Sequence, residues 1–141
     1  MDDEKPNPVI RMLLTWERLG DPDFLDNEYP SLIADNFHRE DRRRLITLPP
    51  TRSTDTIDAV REWHDMAPGS ARFSVEEVIA HRGRRLGLSR NRIHVEDDFT
   101  ELLSLVQLDA CDLIESVVWF DVDDREQALH ELDSRHGDLG E

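Results

Sequence analysis

Asp41 stands between Arg39 and Arg43 in the run Arg39-Glu40-Asp41-Arg42-Arg43-Arg44, the segment with the most legible chemistry in the chain. If this run is extended, alternate side chains share a face, so Phe37, Arg39, Asp41, Arg43 and Leu45 point the same way. With Phe37 and Leu45 turned to an interior, the three charges between them turn there too. Bare charges are costly to bury, so they must pair with one another or line a wet cavity. Lining a cavity, Asp41 and Arg43 would position a polar or anionic ligand. With a free carboxylate, Asp41 would serve as a general base and Arg43 as its partner. The bland alternative uses the same residues as an ion pair that pins a strand to its neighbour. On the opposite face His38, Glu40, Arg42 and Arg44 read as an acid–base pair or as the solvated side of an edge strand.

Other residues could complete such a site. Tyr29 is the one tyrosine, and its phenol is a hydrogen-bond donor. Trp16, Trp63 and Trp119 offer an aromatic lining, although core packing explains Trp16 and Trp63 at helical spacing. Glu101 and Arg90 are conceivable partners for Asp41 from later strands, and Ser89 and Asn91 are further donors. No metal is expected, because none of the six histidines pairs at His-x-x-x-His spacing and there is one cysteine, Cys111. No cofactor is expected either: the glycine-rich nucleotide loops and the nucleophile elbow are absent. Asp121-Val122-Asp123-Asp124 lacks the glycine and distal glutamate of a calcium loop and reads as the acidic start of a helix.

The elements that must position these groups follow from periodicity. Residues 1–8 read as a disordered tail. Val9, Met12, Leu13, Trp16 and Leu19 keep helical spacing up to Gly20. Asp23 reads as the cap of a second short helix carrying Phe24, Leu25 and Tyr29, and Ser31 to Asp35 as one more helical turn. Phe37–Leu48 reads as a strand, and Ser53 to Ala67 as a helix with Val60 and Trp63. Four strands follow as an antiparallel meander: Phe73 to Ala80, Arg85 to Val95, Phe99 to Leu108 and Leu113 to Phe120. A closing helix begins at Asp123 with Glu126 as capping-box partner and a stripe of Ala128, Leu129 and Leu132. Residues 136–141 read as a polar tail, which leaves one domain over 9–135. Helices around a single mainly antiparallel sheet make an α+β fold. Its expected core is Leu13, Trp16, Phe37, Val60, Trp63, Val75, Leu88, Leu105, Val117 and Leu132.

Composition narrows the function. The chain has 141 residues and a net charge of -15, and the acids crowd its last third. Such a surface repels phosphate backbones, so nucleic acid is not an expected partner. No apolar run reaches membrane-spanning length, and the N-terminus, MDDEKPNP, is acidic where a signal peptide would be basic. The expectation is a cytoplasmic protein with no membrane partner. All but one of the 17 basic residues are arginine, a bias of GC-rich bacterial genomes.

Three separated stretches carry a resemblance. Glu40-Asp41-Arg42-Arg43 resembles the Asp-Arg-Arg word on the first strand of SnoaL-like domains. Val78 to Leu88, with Arg82-Gly83 and Leu86-Gly87-Leu88, is similar to their hairpin. Phe120-Asp121-Val122-Asp123-Asp124 with Glu131-Leu132-Asp133 is similar to the closing helix of a bacterial branch found alone or at the end of multidomain regulators. The resemblance implies the cone-shaped nuclear-transport-factor-2-like fold, in which a curved, mainly antiparallel sheet has helices packed on its concave face. It implies a pocket there, lined by Trp16, Tyr29, Phe37, Arg39, Asp41, Arg43, Trp63 and Trp119, and a small hydrophobic or anionic ligand. It implies a small-molecule-binding or regulatory domain without evident catalytic machinery. The alternative is a cofactor-independent hydrolase or cyclase/isomerase using Asp41. Members of the family commonly pair through the open sheet face, so a homodimer through strands 85–95, 99–108 and 113–120 is expected. Apolar residues on both parities of the last two strands agree with that.

Overall fold

The computed structural model describes residues 7–43, 65 and 71–140. Helix α1 spans Pro8–Leu14. The Asn7 side chain caps it by accepting from the Val9 N–H at 2.9 Å, and Pro8 sits in the first turn, where its missing N–H costs nothing. Asn7 and Pro8 therefore belong to the folded unit and not to a tail; residues 1–6 lie outside the described ones. The chain then tightens into a 3-10 helix, Thr15–Gly20, where a single α-helix to Leu19 was expected. Helix α2, Pro22–Asn27, is capped by Asp21, whose carboxylate accepts from the Asp23 N–H. Asp23, the expected cap, instead accepts from the Asn27 amide one turn on.

A 3-10 turn at Tyr29–Leu32 leads into strand β1, Ile33–Asp41. The strand starts and ends earlier than the sequence suggests. Ala34 supplies burial at its start, which the charged run beyond Phe37 could not supply. Ile33 to Asp35 is accordingly extended and not helical. Strands β2 (Arg72–Arg82), β3 (Leu86–Val95), β4 (Asp98–Leu108) and β5 (Ile114–Phe120) form the expected meander. Gly83 turns β2 into β3 at φ 56°, a left-handed conformation that glycine adopts without steric cost. The sheet order is β1-β5-β4-β3-β2, with β1 parallel to β5 and the other pairs antiparallel. After a 3-10 turn at Val122–Asp124, helix α3 runs from Arg125 to Leu139. It therefore begins later than Asp123 and absorbs most of the expected tail. The helix expected over 53–67, with Val60 and Trp63, lies outside the described residues except for Asp65.

The sheet carries a core on each face. On one, Val9, Leu13, Trp16, Leu19 and Phe24 from α1, α2 and the 3-10 helix between them pack against Phe73, Ile93, Val106, Val117 and Trp119. Gly87 lets α1 lie close to β3, because a Cβ there would fall 2.9 Å from a Leu13 methyl and 3.1 Å from a Val9 methyl. On the other face Ala128 and Leu132 of α3 pack against Leu86, Leu88, Leu103, Leu105, Val118 and Phe120. The expected core residues Leu13, Trp16, Leu88, Leu105, Val117 and Leu132 are buried. Phe37 and Val75 are half-buried against the first core.

The α3 face explains the two-sided apolar pattern of β4 and β5 within one chain. Arg135 reinforces the contact, donating to Glu131 at 2.8 Å and to Gln107 and Ser116 at 3.1 Å. Arg82 reaches Asp133 at 2.7 Å. Past α3 the same face becomes an ion ladder. Glu101 accepts from Arg90 at 2.8 Å and Arg92 at 2.7 Å, and Arg90 also approaches Glu77 at 3.5 Å. A partner seated here would have to displace a helix or desolvate a row of charges, and the second carries a heavy penalty. The apolar pattern thus no longer argues for pairing through this face. Leu132→Ala, which leaves a hole between α3 and the sheet, should cost about 2–5 kcal/mol in a denaturant unfolding experiment.

Candidate functional site

Register decides which β1 side chains meet the helix-covered face. Arg39 pairs in register with Val117 and Asp41 with Trp119, so both lie on the side of Trp16 and α1, while His38 and Glu40 face α3. Arg43, just past the strand, folds back on Asp41. Its Nε donates to one carboxylate oxygen at 2.8 Å, its Nη2 to the other at 2.7 Å, and its backbone N–H to the first at 3.1 Å. The Arg43 side chain is only 4% exposed, against 23% for Asp41. Its guanidinium lies 5.1 Å from the Trp119 ring centroid, and that of Arg39 lies 4.5 Å from it. Burial alone would raise the Asp41 pKa. The hydrogen bonds and charge of Arg43, with the charge of Arg39, outweigh it and hold the carboxyl below its ordinary value. A carboxylate saturated in this way is a poor proton acceptor.

The opening into the fold lies beyond Trp119. A narrow cleft, a cavity of about 30 Å³ with room for about one water, lies between α1, the following 3-10 helix and the sheet. Met12, Trp16, Tyr29 and Trp119 line it with aliphatic side chains from β4 and β5. Trp16 is fixed by edge-on contacts to Phe73 and Trp119, at 5.4 and 6.1 Å between centroids, and by donation to the Arg92 carbonyl at 3.2 Å. Asn91 and Ser104 put polar groups on the sheet side. None of the described lining residues carries a charge.

The expected site residues therefore separate into groups. Trp16, Tyr29 and Trp119 line the cleft. Phe37 packs against the same core but is not in the described lining, and Arg39, Asp41 and Arg43 sit behind Trp119. Trp63 lies outside the described residues. Arg90 and Glu101 pair with each other on the opposite face, so neither can assist Asp41. Asn91 was legible as a donor. Ser104 was not, although a lone serine within Leu102-Leu103-Ser104-Leu105-Val106 is the signal that marks it.

No protein-family model matches the chain, and no curated protein does. Solved structures match over most of its length. A SnoaL-like family protein from Agrobacterium tumefaciens is 16% identical with a TM-score of 0.60, covering 80% of this chain and 96% of its own. A Δ5-3-ketosteroid isomerase from a Mycobacterium species is 15% identical with a TM-score of 0.57, covering 84% and 95%. An epoxide hydrolase from Mycobacterium tuberculosis is 14% identical with a TM-score of 0.53, covering 92% and 94%. The chain is an α+β protein with one mixed, open sheet. Its fold is the nuclear-transport-factor-2-like one that SnoaL-like proteins share. A fold shared by binders and enzymes does not fix the activity, which the residues of the cleft must decide.

The clamp has a pH signature. Asp41 has a depressed folded pKa, so its stabilisation is complete above its unfolded value, about 3.9, and is lost as pH falls through the folded one. Glu131, held down by Arg135, and Glu40, held down by Arg42, act in the same direction. Thermal melts between pH 7 and pH 3 should show the midpoint falling below about pH 4. Asp41→Asn should lower the midpoint at pH 7 and make the acid fall shallower.

Proposed function

We propose that the chain is a small-molecule-binding domain whose cleft holds a largely apolar ligand and which carries out no proton abstraction. One observation carries this reading. The acid expected to act as a base, Asp41, is held by three hydrogen bonds from Arg43 behind Trp119, while the described lining of the cleft contains no acid, histidine, lysine or cysteine. General acid–base catalysis needs a titratable group within hydrogen-bond reach of the reacting atom, and among the described lining residues the Tyr29 phenol, a hydrogen-bond donor, is the one such group. The cleft has the wall chemistry of a binding site, apolar and aromatic side chains with a few convergent polar groups. Arg39, Asp41 and Arg43 support the Trp119 wall from behind, so they act on the ligand through that ring.

The second reading, a cofactor-independent hydrolase or isomerase with Asp41 as base, takes its support from the ketosteroid isomerase and epoxide hydrolase that share the fold. The two readings part under mutation. A panel of neutral and acidic aromatic molecules should raise the melting temperature of the native chain. That rise should survive Asp41→Asn, which lowers only the unliganded midpoint, and should disappear in Ser104→Val, which fills the floor of the cleft. An absence of any ligand-dependent shift would sink the binding reading. Turnover of an epoxide or an enolisable ketone that Asp41→Asn abolishes would establish the enzymatic one.

A further inference from the structure

A second opening lies outside the cleft. It is a groove of about 260 Å³ whose described lining is Pro8, Arg11, Met12, Thr15, Leu32 and Asp112. Met12 and Thr15 line both the groove and the cleft. The turn between β2 and β3 ties the two sides of the groove in place. The Gly83 carbonyl accepts from Asn7 Nδ2 at 2.9 Å and holds the start of α1. Arg84, the next residue, holds Asp112, with its Nη2 3.1 and 2.9 Å from the two carboxylate oxygens. The turn that carries Asp112 is itself fixed, because the Asp109 carboxylate accepts from the Cys111 and Leu113 N–H groups at 2.8 and 3.0 Å. The groove is thus preformed, and it has room for a small molecule where the cleft has room for about one water.

Its chemistry differs from that of the cleft. The described lining holds no aromatic ring, and its apolar surface comes from Pro8, Leu32 and the flexible Met12, which suits an aliphatic chain. Two of its three polar side chains are committed. The Thr15 hydroxyl donates to the Met12 carbonyl at 2.6 Å, and Arg84 closes Asp112 to any cation. Arg11 makes no side-chain hydrogen bond or ion pair among the described residues. The one uncommitted side chain is therefore a guanidinium, whose forked N–H donors match the two oxygens of a carboxylate. Arg11, Arg84 and Asp112 together leave one positive charge at the groove of a chain whose net charge is -15. At physiological salt distant charges are screened beyond about 8 Å, so the local charge decides what binds. We infer that the groove is a second binding site, taken by an unbranched aliphatic monocarboxylate with its carboxylate on Arg11 and its chain along Pro8, Met12 and Leu32. This site goes beyond the binding function proposed for the cleft and does not depend on it.

Octanoate, 1-octanol and octylammonium share a chain and differ in charge. Binding to the full chain at physiological salt is followed by ¹H–¹⁵N NMR, which yields dissociation constants and locates each ligand by the backbone amides it shifts. Octanoate should bind saturably and shift the amides of Arg11, Thr15, Leu32 and Asp112. The alcohol should bind there about 3–10-fold more weakly, a modest ratio for a charge-assisted pair because the groove is open to solvent, and octylammonium should not bind. Arg11→Gln should bring octanoate to the level of 1-octanol. Arg11→Glu should reverse the order, so that octylammonium binds more tightly than octanoate. Arg11 is exposed, so both variants keep the packing of α1. No binding of octanoate, binding no tighter than that of 1-octanol or octylammonium, or a preference unchanged in Arg11→Gln would overturn the inference. So would octanoate shifts confined to Asn91 and Ser104, which lie in the cleft. The binding function of the cleft is decided separately, by its own panel of aromatic molecules.

Discussion

The closeness of α1 to β3 sets everything else in the cleft. Gly87 lies under Val9 and Leu13, and a Cβ at that position would force their methyls to shift. Because α1 rests there, the 3-10 helix after it brings Trp16 over the sheet and edge-on to Trp119. Trp119 in turn is backed by Arg39 and by an Arg43 that Asp41 holds in place. A missing side chain on one strand thus fixes the roof, and an ion pair on another fixes the wall. The space left between them is small because both contacts are tight.

The two faces of the sheet are built on different physics. The cleft face relies on shape, with aromatic edges, aliphatic packing and a few polar groups, and carries its one charged cluster behind Trp119. The α3 face relies on charge around an apolar centre, with Arg135 bridging helix to sheet and Arg90, Arg92 and Glu101 forming a ladder beyond it. Most of the ladder is solvent-facing, where ion pairs contribute little to stability. Its role is better described as keeping that part of the sheet wetted and unattractive to another strand or sheet.

Much of this could be read from the chain itself. The meander was legible because β-branched and leucine-rich runs are bounded by turn residues, and the position of Asp41 on the face of Phe37 and Arg39 followed from alternation. The start of β1 was not legible. Pro30 and the helix-like spacing around it hid the fact that Ile33 finds its partner in Ile114, a contact far away in sequence. The separation of Asp41 from the cleft was hidden for a related reason, since nothing local says that Trp119 stands between them. The two-sided apolar pattern of β4 and β5 was read from the sequence, and so was the stripe of Ala128, Leu129 and Leu132, but nothing local said that the one covers the other. Ser104 was missed because a single hydroxyl in a leucine-rich strand leaves no periodic trace.

The parallel pairing of β1 with β5 has a consequence for how the chain comes into being. β1 is made long before β5, its strand neighbour among the described residues. Until β5 has cleared the ribosome, Arg39 and Arg43 lack the Trp119 indole and Trp16 has Phe73 but not Trp119 to meet. Loop-closure entropy for so distant a pairing must be met before any of these contacts repays it, which places β1 docking late in folding. The growing chain therefore carries the residues of the cleft without their full cover until β5 is made, and it is that strand that turns them from separate side chains into a cleft.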